Sequence, residues 1–263
     1  MRKLKFFLCL AIFIIVPAGT VFSQTAVDPD AGSGLRIPFV NLSINEPQSN
    51  QEVALSIQLI LLLAVITLSP SIIILTTSFL RISIIFDFIR RSLSLQQVPP
   101  NTVMNGIALF LTLFIMWPTF SDIYANGFEP FADGEIGLEE LYTQTEKPLR
   151  RFMYTQLDGN YENITLFMNM AKMDKPNTAA DVPTYVLIPA FILNELTIAF
   201  KVGILLFIPF IVIDMVVASA LMAMGMIMLP PAMISLPFKL ILFVLVDGWS
   251  LITKQVVLSF MGG

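Results

Sequence analysis

Six ionisable side chains interrupt an otherwise apolar C-terminal third: Glu195, Lys201, Asp214, Lys239, Asp247 and Lys254. Three kinds of chemistry are open to them. Two carboxylates such as Asp214 and Asp247 can share a proton as a catalytic dyad. Charges in broken membrane helices can line a path for a solute or ion. Acid and base can also simply pair and hold helices together. Other chemistries fall away, because the chain has no histidine and its one cysteine is Cys9. That excludes Ser-His-Asp triads, HExxH zinc sites and haem ligation by His. Neither a G-x-x-x-x-G-K-[ST] loop nor a G-x-G-x-x-G turn occurs, so no cofactor and no metal is expected.

A charge at the centre of an inserted helix costs about 2.5–3.5 kcal/mol, while each Leu or Ile returns only about 0.3–0.6. The six charges therefore either lie near helix ends in water or face partners rather than lipid. If the chain folds back at Pro230-Pro231, Asp214 and Asp247 meet at one level as like charges, and Lys201 and Lys254 come near the same level. Opposite charges then find no match inside one copy, and Glu195 with Lys239 is the expected pair, between subunits or across a bent helix. Arg81 sits among Ile84, Ile85 and Phe88, where two readings stand: it snorkels to a headgroup, or it is buried in a pair.

A second feature is "MAMGMIMLPP", residues 222–231. A methionine at every second position lines one face of a strand but scatters around a helix. The stretch is thus either a sulfur-lined extended segment or the end of an apolar helix.

These residues need elements to hold them. The 263-residue chain is 56% hydrophobic and 13% charged, with a mean hydropathy of +0.80. That is membrane-class composition. A net charge of −4 leaves no basic patch for nucleic acid. Residues 1–23 read as a cleavable signal peptide, with Arg2, Lys3 and Lys5 before an apolar run; the alternative is an uncleaved first helix. Residues 24–50, rich in Pro, Gly, Asn and Ser, read as a flexible exported arm. Residues 51–121 form a first helical hairpin, from an apolar stretch over Val53–Ser78, an amphipathic one after it, a Pro99-Pro100 turn and an apolar Val103–Phe120. Asp87 and Arg91 make a favourable i, i+4 pair on the amphipathic stretch. Residues 122–184 hold eleven Asp or Glu against five Lys or Arg, an acidic domain expected to be helical around Glu139–Ala171. Residues 185–263 form the second hairpin, its last helix running from about Met233 to Phe260. The expectation is an all-α membrane-associated protein with four long, proline-kinked apolar helices. Arg81, Arg90 and Arg91 between the first two apolar helices belong on the cytoplasmic side, which leaves the acidic domain outside.

Four stretches carry a resemblance: "PAFILNELTIAFKVG" (189–203), "PFKLILFVLVDGW" (237–249), "LTTSFLRISIIFDFIRRSLSLQQVPPN" (75–101) and "IPFIVIDMVVASALMAMGMIMLPP" (208–231). They closely resemble the FliP family of flagellar type III export-gate subunits, over about Ile57–Phe260 and more weakly in the acidic domain. Asn194 departs from the family, where a small hydroxyl residue is usual. The resemblance implies a bacterial inner-membrane gate at the flagellar basal body. Several copies, five by family expectation, join FliQ and FliR, with FlhA and FlhB nearby, around a channel for unfolded flagellar proteins. It also implies helices standing largely above the bilayer, shielded by neighbours from lipid. A methionine-rich loop in the family closes the pore as a gasket. The matching positions are Met226, Ile227 and Met228, where Ile227 departs from the usual methionine, and Met224 and Met233 are possible contributors. Two other classes compete with this one. A small-solute transporter or ion channel is the main alternative, though the two hairpins show no repeat. An intramembrane enzyme would need the Asp214 and Asp247 dyad.

Overall fold

The computed structural model describes residues 36–37, 40–41, 50–95, 98–176, 178–226 and 228–261. The expected signal peptide and most of the expected arm lie outside these residues, as does Ile227. The chain divides into two compact units, Met1–Ser71 and Ile72–Gly263. In the first, two short strands, β1 (Arg36–Ile37) and β2 (Val40–Asn41), pair antiparallel with Ile37 opposite Val40. Helix α1 (Asn50–Leu75) carries Pro70 within it. No residue of its most apolar stretch is buried inside the chain.

In the second unit, α2 (Phe79–Ser92) is the central element. Its Ile82, Ile85, Phe86 and Ile89 are buried at the spacing of one helix face, and Asp87 bonds Arg91 at 2.6 Å and Arg90 at 2.7 Å on the other. Burial alone would raise the Asp87 carboxyl, but its hydrogen bonds to Arg91 and Arg90 outweigh that and hold it below the ordinary carboxylate value. Ser94 ends the helix in the left-handed region at φ 59°. The N–H of Leu95 then donates to Arg90 O and that of Ser94 to Arg91 O, which satisfies two carbonyls of the last turn.

Helix α3 (Asn101–Ile123) passes through a widened turn, Tyr124–Phe128, into a last helical turn, Glu129–Ala132. The apolar helix thus runs into the acidic region further than its sequence pattern implies. Helices α4 (Leu138–Leu157) and α5 (Glu162–Met170) follow, separated by a turn in which Asp158 and Gly159 both have positive φ. Helix α6 (Thr184–Ala223) is about 60 Å long, twice the thickness of a bilayer core. Helix α7 (Pro231–Leu245) and α8 (Gly248–Met261) complete the chain. The single last helix expected from the sequence is in fact two, bent by 63°. The break falls at Val246-Asp247, where Asp247 takes φ 48° and α-helical hydrogen bonding cannot continue.

Two apolar cores result. One gathers Ile82, Ile85 and Phe86 of α2 with Ala108 of α3, Ala199 of α6, Phe243 of α7 and Val256 of α8. The other packs Met153 and Leu157 of α4 and Met168 of α5 against Leu187 and Phe191 at the start of α6. Phe152 touches both cores, its ring 6.0 Å from that of Phe191 and 6.4 Å from that of Phe260.

Close helix approach fixes one glycine. A Cβ on Gly203 of α6 would stand 2.5 Å from the Phe88 ring on α2. Gly203→Ala is expected to cost about 1–3 kcal/mol through overpacking. Urea unfolding of the detergent-solubilised protein, followed by circular dichroism, measures this; an unchanged midpoint would show that Phe88 yields freely.

Candidate functional site

Arg81 lies on the buried face of α2 with 2% of its surface exposed, and Glu195 opposite it on α6 has none. The Arg81 Nε donates to Glu195 Oε2 at 2.8 Å and Nη2 donates to Oε1, a two-pronged contact that fits the planar guanidinium fork. Nη2 also donates to Gln156 Oε1 of α4 at 3.1 Å. Nη1 donates to the Ser259 carbonyl and hydroxyl of α8, both at 3.3 Å, and the guanidinium carbon stands 4.0 Å from the centre of the Phe260 ring. The network closes on itself. Gln156 Nε2 donates to Phe260 O, and Asn194 Nδ2, on the residue before Glu195, donates to Gln156 O at 2.9 Å. One arginine thus ties four helices together. Of the two readings of Arg81, burial in a pair is the observed one.

A second network centres on Lys239 of α7, 1% exposed. Its ammonium donates to Asp214 Oδ2 of α6 at 2.6 Å, to Ser92 O at 3.1 Å and to Ser94 Oγ at 2.9 Å. The Ser235 hydroxyl donates to the other Asp214 oxygen at 2.5 Å. All three ammonium protons therefore have acceptors, and the cation stands against the C-terminal carbonyls of α2, where the helix dipole favours it.

These pairs correct the sequence reading. Within one chain Glu195 and Lys239 do not pair with each other across a bent helix: each is matched there, by Arg81 and by Asp214. The reason is geometric. Helix α6 stops at Ala223 and α7 starts at Pro231, so the chain reverses in the middle of the 224–230 connection, a few residues before Pro230-Pro231. That shift brings Lys239, not Asp247, level with Asp214. A dyad of Asp214 and Asp247 is likewise overturned, since Asp214 is engaged by Lys239 and Ser235 while Asp247 is exposed at the α7–α8 break. Lys201 is exposed on α6.

The methionine stretch lies in the reversal itself. Gly225 has φ 74°, the N–H of Met226 donates to Leu221 O and that of Gly225 to Met222 O. This is the six-residue closure that ends a helix at a glycine. Pro231 then opens α7 at a position where a missing N–H costs nothing. Met222 and Met224 therefore belong to the end of α6 and its cap, while Met226 and Met228 lie in the non-helical connection. All are exposed, Met228 to 98%, as is Met233 at the start of α7 to 72%. Sequence reasoning missed Gln156, Ser235 and Ser259. Nothing local marks them, because their partners lie far away in the chain.

Three described helices are long and apolar enough to cross a membrane, four if bent α7 and α8 count as one span. The fold is thus that of a helical membrane protein whose buried polar groups bind helices to one another. The model of the FliP family matches residues 62–256. The chain is 58% identical to the flagellar biosynthetic protein FliP of Treponema denticola, over 93% of this chain and 90% of the relative. It is 56% identical to that of Treponema pallidum, over 99% and 97%, and 51% identical to that of Bacillus subtilis, over 84% and 99%. The chain belongs to the FliP family, and so is a non-enzymatic component of the flagellar export apparatus.

The Arg81 network can be tested by unbalancing it. Glu195→Gln or Arg81→Met leaves one buried charge without its counterpart, a loss of about 3–5 kcal/mol for such a pair. The double variant Arg81→Met/Glu195→Met should recover more than half of that loss. Expression and thermal stability in detergent give the comparison, and additive losses in the double variant would mean that the two charges do not act as a pair.

Proposed function

We propose that several copies of the chain, five in the simplest reading, stand side by side with FliQ-type and FliR-type subunits. Together they enclose the channel through which unfolded flagellar proteins leave the cytoplasm. The site is the inner membrane at the flagellar basal body, with FlhA and FlhB adjacent and the helices in part on the periplasmic side. In this reading Met226, Ile227 and Met228 of each copy meet around the axis and seal the channel, flanked by Met224 and Met233.

One observation carries the reading: the exposed methionines gather on a reversal whose shape is set by Gly225, Pro230 and Pro231 and whose two flanking helices are locked by Lys239 and Asp214. Unbranched thioether side chains re-pack around varied surfaces, so a ring of them can close on itself and still yield to a passing chain. An apolar constriction also excludes ions by dewetting. Within one copy these side chains seal nothing, and the reading therefore requires the ring.

Removing the thioethers should open the seal. In cells expressing Met226→Ala/Met228→Ala, assembly is expected to proceed while ion leakage through the gate rises by about ten-fold or more. Membrane potential and dye uptake report the leak, and blue native electrophoresis reports the assembly. A tight gate that still supports motility would remove the methionines from the seal.

A further inference from the structure

With Arg81–Glu195 and Asp214–Lys239 matched inside the chain, three charges of the second hairpin remain: Lys201, Asp247 and Lys254. Among the described residues none of the three has an ion-pair partner, and all are exposed. Lys201 projects from the side of α6 opposite Ala199 and Gly203, which face the core. Around it the surface is apolar, with Phe200, Ile204 and Leu205 each more than half exposed. Asp247 has a corresponding setting, since Val244, Leu245 and Val246 beside it are exposed as well. The exposed apolar surface of the second hairpin thus carries a cation on the side of α6 and an anion at the α7–α8 break.

We infer that these two parts of the surface meet between neighbouring copies, and that Lys201 of one copy pairs with Asp247 of the next. The inference rests on the ring arrangement proposed above and names the contact that builds it. Charge complementarity selects a second copy as the occupant, because the same chain supplies both halves. Where only Lys201 of one copy and Asp247 of the next take part in each contact, the contact propagates around a ring, whereas the same pair made reciprocally stops at a dimer. The heights agree to within two helical turns. Lys201 lies about six turns before the end of α6 and Asp247 about four and a half turns after the start of α7, a difference of roughly 9 Å. Hairpins inclined to a common axis take up that offset. Lys254 is the weaker candidate for the cation: it stands on α8, the same helix that Asp247 leads into, one turn and more nearer the open C-terminal end. An unpaired lysine in the middle of a 40-residue apolar helix, by contrast, needs an anion or water wherever that helix lies against lipid or protein.

Charge reversal tests the contact in the complete export complex. Lys201→Glu and Asp247→Lys should each reduce the ring fraction seen by native mass spectrometry about ten-fold, and the double reversal should restore it to within about two-fold. Lysine is tolerated at φ near 50°, as Lys172 shows at φ 55°, so Asp247→Lys does not fail for backbone reasons. Asp247→Asn, which keeps the backbone preference and removes only the charge, should lose the ring as well. Rings retained in the single variants, or not regained in the double, would overturn the pair while leaving the ring itself standing. A wild-type chain that purifies with its partners in a single copy would overturn both.

Discussion

A guanidinium with no access to water must have its donors answered by the protein, and the acceptors that answer Arg81 come from three other helices: Glu195 of α6, Gln156 of α4 and Ser259 of α8. Each of these helices is mostly apolar or amphipathic, and non-directional apolar contacts leave some freedom to slide along its neighbours. The arginine removes that freedom, because any such slide strands a charge in a dry interior. Compared with a well-packed apolar substitute the pair adds little stability by itself. Its effect is to leave one register of four helices without a buried charge unmatched. The acidic domain is tied to the membrane-class helices by the same residue, since Gln156 belongs to α4 and bonds both Arg81 and the chain near its C-terminus.

Lys239 extends this logic to the second hairpin. It joins α7 to α6 through Asp214 and to the end of α2 through Ser92 and Ser94, so the level of the 224–230 connection is set relative to the helix that Arg81 already holds. The positively charged end of α2, with Arg90 and Arg91, and the methionine connection therefore lie at the same end of the bundle. Gly225 sets the entry to the connection and the two prolines its exit into α7.

Much of this architecture is legible in the sequence. The periodicity of α2, the four apolar segments, the helical acidic region and the departure from helix at Met226 and Met228, before Pro230, all follow from spacing and from proline chemistry. The pairing of the charges does not follow, and for a specific reason. Level-matching in a hairpin depends on where the chain turns, and Pro230-Pro231 marks the start of the second helix rather than the reversal. Gly225 carries the missing signal: a glycine just past an apolar helix is the usual stop, and placing the turn between Gly225 and Pro230 puts Asp214 opposite Lys239. The break at Val246-Asp247-Gly248 has a similar signal in its glycine, where a Cβ would collide with the Phe243 ring. Gln156, Ser235 and Ser259 have none, because a polar residue on a helix gives no indication of which distant charge it will meet.

The internal pairing also clarifies what covers the outside. In the candidate spans only 0% to 22% of the most apolar stretch is buried by the chain itself, although the polar groups that would be most costly to expose to lipid are already satisfied inside. Such a chain uses its polar chemistry to hold its own helices and leaves apolar surface outward. Surface of that kind is covered by lipid or by other subunits, and both fit a component of a membrane-embedded export apparatus. The two environments differ in what they tolerate. Lipid accepts a featureless apolar face, while a face bearing one unmatched charge needs water, a lipid headgroup or a neighbour's opposite charge beside it.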